Sequence, residues 1–156
     1  DGNHSLASAK ALYEEEKAKF GPGSEDTLPS RYALVEIVNL YDEALEFEPI
    51  HRVLFDVDAP ALMDALKAEY PGTFEGKGEG HVIQYAYDGG EGFITVPDPA
   101  AQLEVGTLQH FLDKYIKEKG IGIDYVHGDD ITIELGKKPG CMAFLLPAMD
   151  KHDLFK

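Results

Sequence analysis

Four stretches of this chain gather titratable or hydrogen-bonding side chains closely enough to do chemistry. The first is Asp1-Gly2-Asn3-His4-Ser5, in which an acid, an amide, an imidazole and a hydroxyl surround a glycine just ahead of a helical pattern. A helix start leaves backbone N–H groups without intrahelical partners and carries the positive end of the helix dipole. Both features attract an anion. The turn is therefore a candidate phosphate cradle, with Asp1, Gly2, Asn3 and Ser5 as ligand contacts and His4 as a proton-exchanging group. The plainer alternative is that Asn3 or Ser5 only caps the helix.

The second stretch is Glu48-Pro49-Ile50-His51-Arg52. An arginine is a fork-shaped partner for phosphate or carboxylate, and a histidine can carry protons near neutrality. Neighbouring residues on a strand point to opposite faces, so only one of His51 and Arg52 can join a given pocket. Alternatively, Arg52 pairs with a nearby acid such as Glu46 or Glu48, and His51 is a hydrogen-bonded packing residue. The third stretch, Asp124-Tyr125-Val126-His127-Gly128-Asp129, reads as a strand that runs out into a polar turn at a helix start, a place where open sheets put ligands. Asp124 and His127 are its candidate ligand-binding and catalytic groups. Gly76, Gly78 and Gly80 form the fourth, but no Gly-Lys-Ser/Thr follows them and they read as a flexible approach to a hairpin.

Other chemistries find less support. His4, His51, His127, Asp1 and Asp124 are suitable ligands for zinc, manganese or iron, yet no His-Glu-x-x-His or paired cysteines are present, and no metal site is assigned. There is no Gly-x-Ser-x-Gly elbow, and the single cysteine, Cys141, lies in the apolar run CMAFLLP, where a buried, inert thiol is expected. A lone cysteine fits a reducing, cytoplasmic setting.

The elements that must position these groups form an α+β pattern, a mixed sheet with flanking helices that includes a β-hairpin and leaves room for one βαβ crossover. A first helix is expected from Ser5 to Lys19, with Leu6, Ala9, Tyr13 and Phe20 on one face, closed by Gly21-Pro22-Gly23. Gly21 to Ser30 is a surface loop. Arg31 to Tyr41, rich in branched and aromatic residues, reads as a central strand, and Ile50 to Val57 as another. Asp58 and Pro60 open a helix through Tyr70 whose Leu62, Met63 and Leu66 face inward. HVIQYAYD and GFITVPD flank an Asp-Gly-Gly turn and form the hairpin. Val105 to Lys119 is a helix capped by Gly120. Ile123 to His127 and Met142 to Leu146 are strands, and the residues between them can hold a crossover helix, although Ile131, Ile133 and Leu135 alternate as a strand would.

Composition narrows the partners. With 156 residues the chain is one domain, or an excised part of a larger protein whose flanks are missing, as the absence of an initial methionine suggests. It is long enough to bury a core without disulfides. Twenty-nine acidic against 14 basic residues give a net charge of −15, which argues against direct nucleic-acid binding. No apolar run approaches the ~20 residues of a membrane span.

Taken together, DGNHSLASAKALYEE, RYALVEIVNLYD, FEPIHRVLF, IDYVHGDD and MAFLLPAMDKHDLF resemble, in order, the bacterial and archaeal family called domain of unknown function 1015. In that family the first segment usually reads Asp-Gly-His-His-Arg, so Asn3 and Ser5 depart from the pattern and a direct phosphate donor is absent. The turn is also similar to one in the ParB and sulfiredoxin superfamily, where a short motif ahead of a helix receives nucleotide phosphates. These resemblances imply a pocket for a phosphorylated small molecule or nucleotide. Asn3, His4 and Ser5 would hold phosphate, Arg52 would clamp it, and His51 or His127 would exchange protons, with Mg²⁺ called for if phosphoryl groups are transferred or hydrolysed. The rival expectations are a noncatalytic regulatory or interaction module, and a ParB-like regulator that contacts DNA through regions outside this sequence.

Overall fold

The computed structural model describes residues 2–153. The chain divides into two compact units, Asp1–Asp42 and Glu43–Lys156. In the first, α1 runs from Asn3 to Phe20. It begins two residues earlier than the sequence pattern suggests and its start carries no side-chain cap; Gly2 occupies the cap position with φ 98°, a conformation that favours glycine. Asn3 and Ser5 lie inside the helix and neither takes the expected capping role; the Gly2 carbonyl accepts the first intrahelical bond, from the Leu6 N–H at 2.9 Å. No α1 residue is buried, and Leu6, Leu12 and Phe20 are exposed, so the predicted apolar face does not pack into a core.

Arg31 to Tyr41 departs furthest from expectation. Pro29–Arg31 form a short 3₁₀ turn, and the residues after it, through 39, run without helix or ladder. A strand needs a neighbour for its backbone groups, and branched side chains alone cannot supply one. Leu34 and Ile37 are almost wholly exposed.

The second unit is an antiparallel sheet dressed with helices. Its strands are β1 (Ile50–Phe55), β2 (Phe74–Glu75), β3 (His81–Tyr87), β4 (Gly90–Val96), β5 (Gly122–His127) and β6 (Cys141–Leu145), in the spatial order β2-β4-β3-β6-β1-β5. The helices are α2 (Ala59–Glu69), α3 (Glu104–Lys119) and α4 (Asp129–Gly136). β3 and β4 form the expected hairpin, with Tyr87 paired to Gly90 across Asp88-Gly89. The two-residue β2 was not anticipated, because its phenylalanine and glutamate sit among glycines that obscure any alternation. β5 and β6 each lie antiparallel to β1, one on either side of it. They are therefore parallel to each other, and β5-α4-β6 is the crossover, split by β1.

Each helix has a local cause. Asp58 accepts a hydrogen bond from the Ala61 N–H at 3.0 Å and Pro60 lies in the first turn, which starts α2 as read from the sequence. α3 ends at Gly120, whose φ of 70° is the left-handed stop. α4 buries Thr132 and Gly136, one turn apart, rather than the alternating isoleucines.

Strand alternation gives the sheet two packed faces. On one, Leu54, Ile83, Ile94, Met142 and Phe144 pack with Leu62, Met63 and Leu66 of α2 and Leu108, Phe111 and Leu112 of α3. On the other, Val53, Ala143 and Leu145 meet Ile133 and Leu135 of α4. Gly136 brings α4 very close: a Cβ there would lie 2.5 Å from the Ala143 Cβ and 2.7 Å from the Ala86 carbonyl oxygen. Cys141, at the start of β6, is half-buried, so the fully buried thiol expected from its apolar run is corrected; the run turns inward one residue later, at Met142.

Candidate functional site

His51 and Arg52 occupy successive positions on β1 and go to opposite faces, as strand geometry requires. Arg52 pairs across the sheet with Tyr125 of β5 and Phe144 of β6, which places it on the α3 side. Its guanidinium lies over the Tyr125 ring, 4.7 Å from the centroid. Nε donates to Gln109 Oε1 of α3 at 2.9 Å, and Nη1 donates to the Ile50 carbonyl. Gln109 in turn donates to Asp113 Oδ1 at 2.7 Å and to the Tyr125 hydroxyl at 3.3 Å. A central strand, an edge strand and a helix thus hold one side chain.

The electrostatics of this group are unusual for so acidic a protein. Arg52 is only 7% exposed, yet among the described residues no carboxylate lies within ion-pairing distance of it. The pairing expected with Glu46 or Glu48 does not occur; Glu48 instead faces His127, with 3.9 Å between its Oε2 and Nδ1. Burial pushes the Arg52 guanidinium below its usual value, partly offset by Tyr125 and Asp113. Buried charges are normally paired, because an uncompensated one forfeits its hydration. Arginine has five N–H bonds, and two are accounted for here, so the remainder can meet an anion.

His127 lies two positions beyond Tyr125 on β5 and therefore on the Arg52 face, exposed. The other two sequence candidates in this unit lie on the α4 face. His51 is 1% exposed; its Nδ1 accepts from the Leu146 N–H at 3.1 Å, which leaves Nε2 as the protonated nitrogen, donating to Asp129 Oδ1 at 2.8 Å. Both ring nitrogens are engaged. Asp124 is exposed opposite Val53, and one of its oxygens accepts from the Tyr125 N–H at 2.8 Å. The sheet therefore separates Arg52 and His127 from His51 and Asp124.

The opening turn belongs to the other unit. Gly2 shapes the start of α1, and Asn3, His4 and Ser5 are exposed on its first turn. Asp1 falls outside the described residues. Among the described residues, no group of three or more histidines, cysteines or acids is placed to hold a metal ion, and no helix is long and apolar enough to cross a membrane.

A family model described as protein of unknown function (DUF1015) matches residues 1–115. The chain belongs to the DUF1015 family. The match takes in the opening turn, β1 with His51 and Arg52, and α3 as far as Tyr115; it ends before β5, so Asp124, Tyr125 and His127 lie beyond it. No curated protein and no solved structure matches the chain.

Sequence reasoning selected Arg52 but not the residues that define its surroundings. Tyr125 was legible in principle, since it stands two residues before His127 on one strand and shares its face. Gln109 carried no signal, because its contact joins α3 to β1 across 57 positions. Asp129 was included in the third stretch but not chosen, and its partner His51 lies 78 positions away.

Proposed function

We propose that this DUF1015 chain binds a phosphorylated small molecule or nucleotide, with Arg52 as the anion anchor. The observation that carries this reading is the burial of Arg52 without a carboxylate partner in a chain with 29 acidic residues. A ligand phosphate supplies the missing counter-charge and receives the remaining N–H groups in a charge-assisted contact. Tyr125 and Gln109 fix the guanidinium before the ligand arrives, which reduces the entropy lost on binding. His127, exposed on the same face with Glu48 3.9 Å from its Nδ1, is the histidine we assign to proton exchange in a phosphoryl-transfer or hydrolytic reaction; His51 acts as a positioning residue, because both of its nitrogens are occupied. Asn3, His4 and Ser5 at the start of α1 are proposed as a phosphate contact of the other unit, tested on its own.

A titration of the whole chain with inorganic phosphate, ribose 5-phosphate, AMP and ATP, with and without Mg²⁺, tests this by calorimetry and melting temperature. Phosphorylated compounds are expected to bind and to raise the melting temperature, while ribose and adenosine do not. Equal behaviour of phosphorylated and unphosphorylated compounds, or no response to any, rejects the reading. The noncatalytic alternative, an interaction module, draws support from the exposed apolar side chains at Leu34, Val35, Ile37 and Val38.

A further inference from the structure

The α4 face of the sheet carries a concavity that Arg52 does not reach. α4 packs on β6, β1, β3 and β5, reaching β3 at Ala86, and has no comparable contact with β4. Beside it, Val82, Gln84, Phe93 and Leu145 form the floor of a cavity of about 440 Å³. Pro147 lies on one wall, and Asp129, the first residue of α4, stands at the end. The volume is in the range of small-molecule sites.

One buried imidazole builds two of these walls. His51 holds Asp129 through Nε2 and holds Leu146, also at the cavity, through the backbone N–H bonded to its Nδ1. A side chain 1% exposed that bonds two residues of one cavity's lining through its two nitrogens holds them in place relative to each other. Among the described residues, Asp129 is the only charged one that lines the cavity. His51 is its sole ion-pairing partner among the described residues and engages only Oδ1, so Oδ2 is left to accept. Gln84 makes no side-chain hydrogen bond within the described residues, and its amide is available on the floor. Lys77 Nζ lies 3.9 Å from the centroid of the Phe93 ring, so that ring offers the cavity apolar surface rather than a second cation contact.

We infer that this cavity is a second binding site, for a small organic ammonium ion with an apolar body. Asp129 is the counter-ion, Gln84 a polar contact, and Val82, Phe93 and Leu145 the apolar surface, with His51 as the positioning residue. The site lies across the sheet from Arg52 and does not depend on it.

The test is a ¹H–¹⁵N correlation titration of the full chain with 2-phenylethylammonium, its neutral analogue 2-phenylethanol and the anion 3-phenylpropanoate. The ammonium ion is expected to shift the amides of Gln84, Phe93 and Asp129 and to bind up to about fivefold more tightly than the alcohol, as an ion pair with the exposed Asp129 carboxylate allows. The anion should bind more weakly than either. Asp129→Asn keeps an acceptor for His51 while removing the charge, and should reduce the ammonium affinity to that of the alcohol. Gln84→Glu adds a second carboxylate and should raise it, which keeps the test open if Asp129→Asn does not fold. Arg52→Met, on the opposite face, should leave these shifts in place even if phosphate binding is lost. Equal affinity for all three compounds, no shifts at these amides, or unchanged ammonium affinity in the folded charge variants overturns the inference.

Discussion

Replacing Arg52 with methionine separates a receptor arginine from a structural one. Methionine keeps an unbranched apolar stem of similar reach, so the space beside Phe144 and Tyr125 stays filled. The substitution gives up a cation–π contact at 4.7 Å to a half-exposed ring, worth roughly 0.5–1 kcal/mol. It also gives up the bonds to Gln109 and the Ile50 carbonyl, at roughly 1.5–3 kcal/mol each for a charged donor. Against these stand several kcal/mol of desolvation, which Tyr125 and Asp113 offset only in part. The opposing contributions are of similar size, so urea unfolding followed by circular dichroism should place Arg52→Met within about 1.5 kcal/mol of the parent. Its effect on phosphate binding should be much larger. Losing two charge-assisted bonds to a ligand anion costs roughly 3 kcal/mol, or roughly 100-fold in Kd by calorimetry. Arg52→Lys, which keeps the charge but not the fork, should fall between the two. A variant that unfolds easily, by more than about 3 kcal/mol, while binding phosphorylated ligands as before would show that Arg52 is a packing residue and refute the reasoning.

Three further perturbations test the framework around the two faces. Gly136→Ala should destabilise the protein by about 1–3 kcal/mol in chemical denaturation despite alanine's higher helix propensity, because the added methyl meets Ala143 and the Ala86 carbonyl of the sheet; a stabilised variant would mean that α4 can lift away freely. His51→Leu should cost about 1–3 kcal/mol by leaving the Leu146 N–H without its acceptor, and hydrogen exchange at that amide should accelerate. Tyr70, whose hydroxyl donates to the Thr107 carbonyl at 2.9 Å, titrates above its ordinary value of 10.0, chiefly through burial and then through Glu69. A raised folded value means that its contribution is fully present below pH 10 and is lost as pH climbs through the folded value, so Tyr70→Phe should flatten the alkaline fall in stability. An unchanged slope in alkaline urea titrations would remove Tyr70 from that account.

The elements read most faithfully from the sequence were those whose local chemistry and tertiary environment agree. Asp58 with Pro60, the glycine after Lys119 and the Asp88-Gly89 turn each specify a local geometry that the sheet also requires. Arg31–Tyr41 shows the opposite case: its side chains suit a strand, but strand formation is a property of pairs, and no ladder partner is present among the described residues. α4 forms where a crossover helix is expected, against the strand-like alternation of its isoleucines. What places it is Thr132 and Gly136, small residues four apart that let a helix approach Ala143 closely, a signal with meaning only once the facing strand is known.

The amino-acid sequence by itself determined the α+β class, the hairpin, the family and the fact that His51 and Arg52 must face different environments, because alternation along a strand is a property of the backbone. Tertiary structure decided what those environments are. It brought Gln109, Tyr125 and His127 to the Arg52 face and left that guanidinium, among the described residues, without a carboxylate in ion-pairing distance. On the other face it committed both nitrogens of His51 to Asp129 and Leu146, turning an expected proton carrier into the brace of a cavity. These partners lie 57 to 95 positions apart in the chain, so their meeting depends on strand order and helix placement rather than on any local spacing.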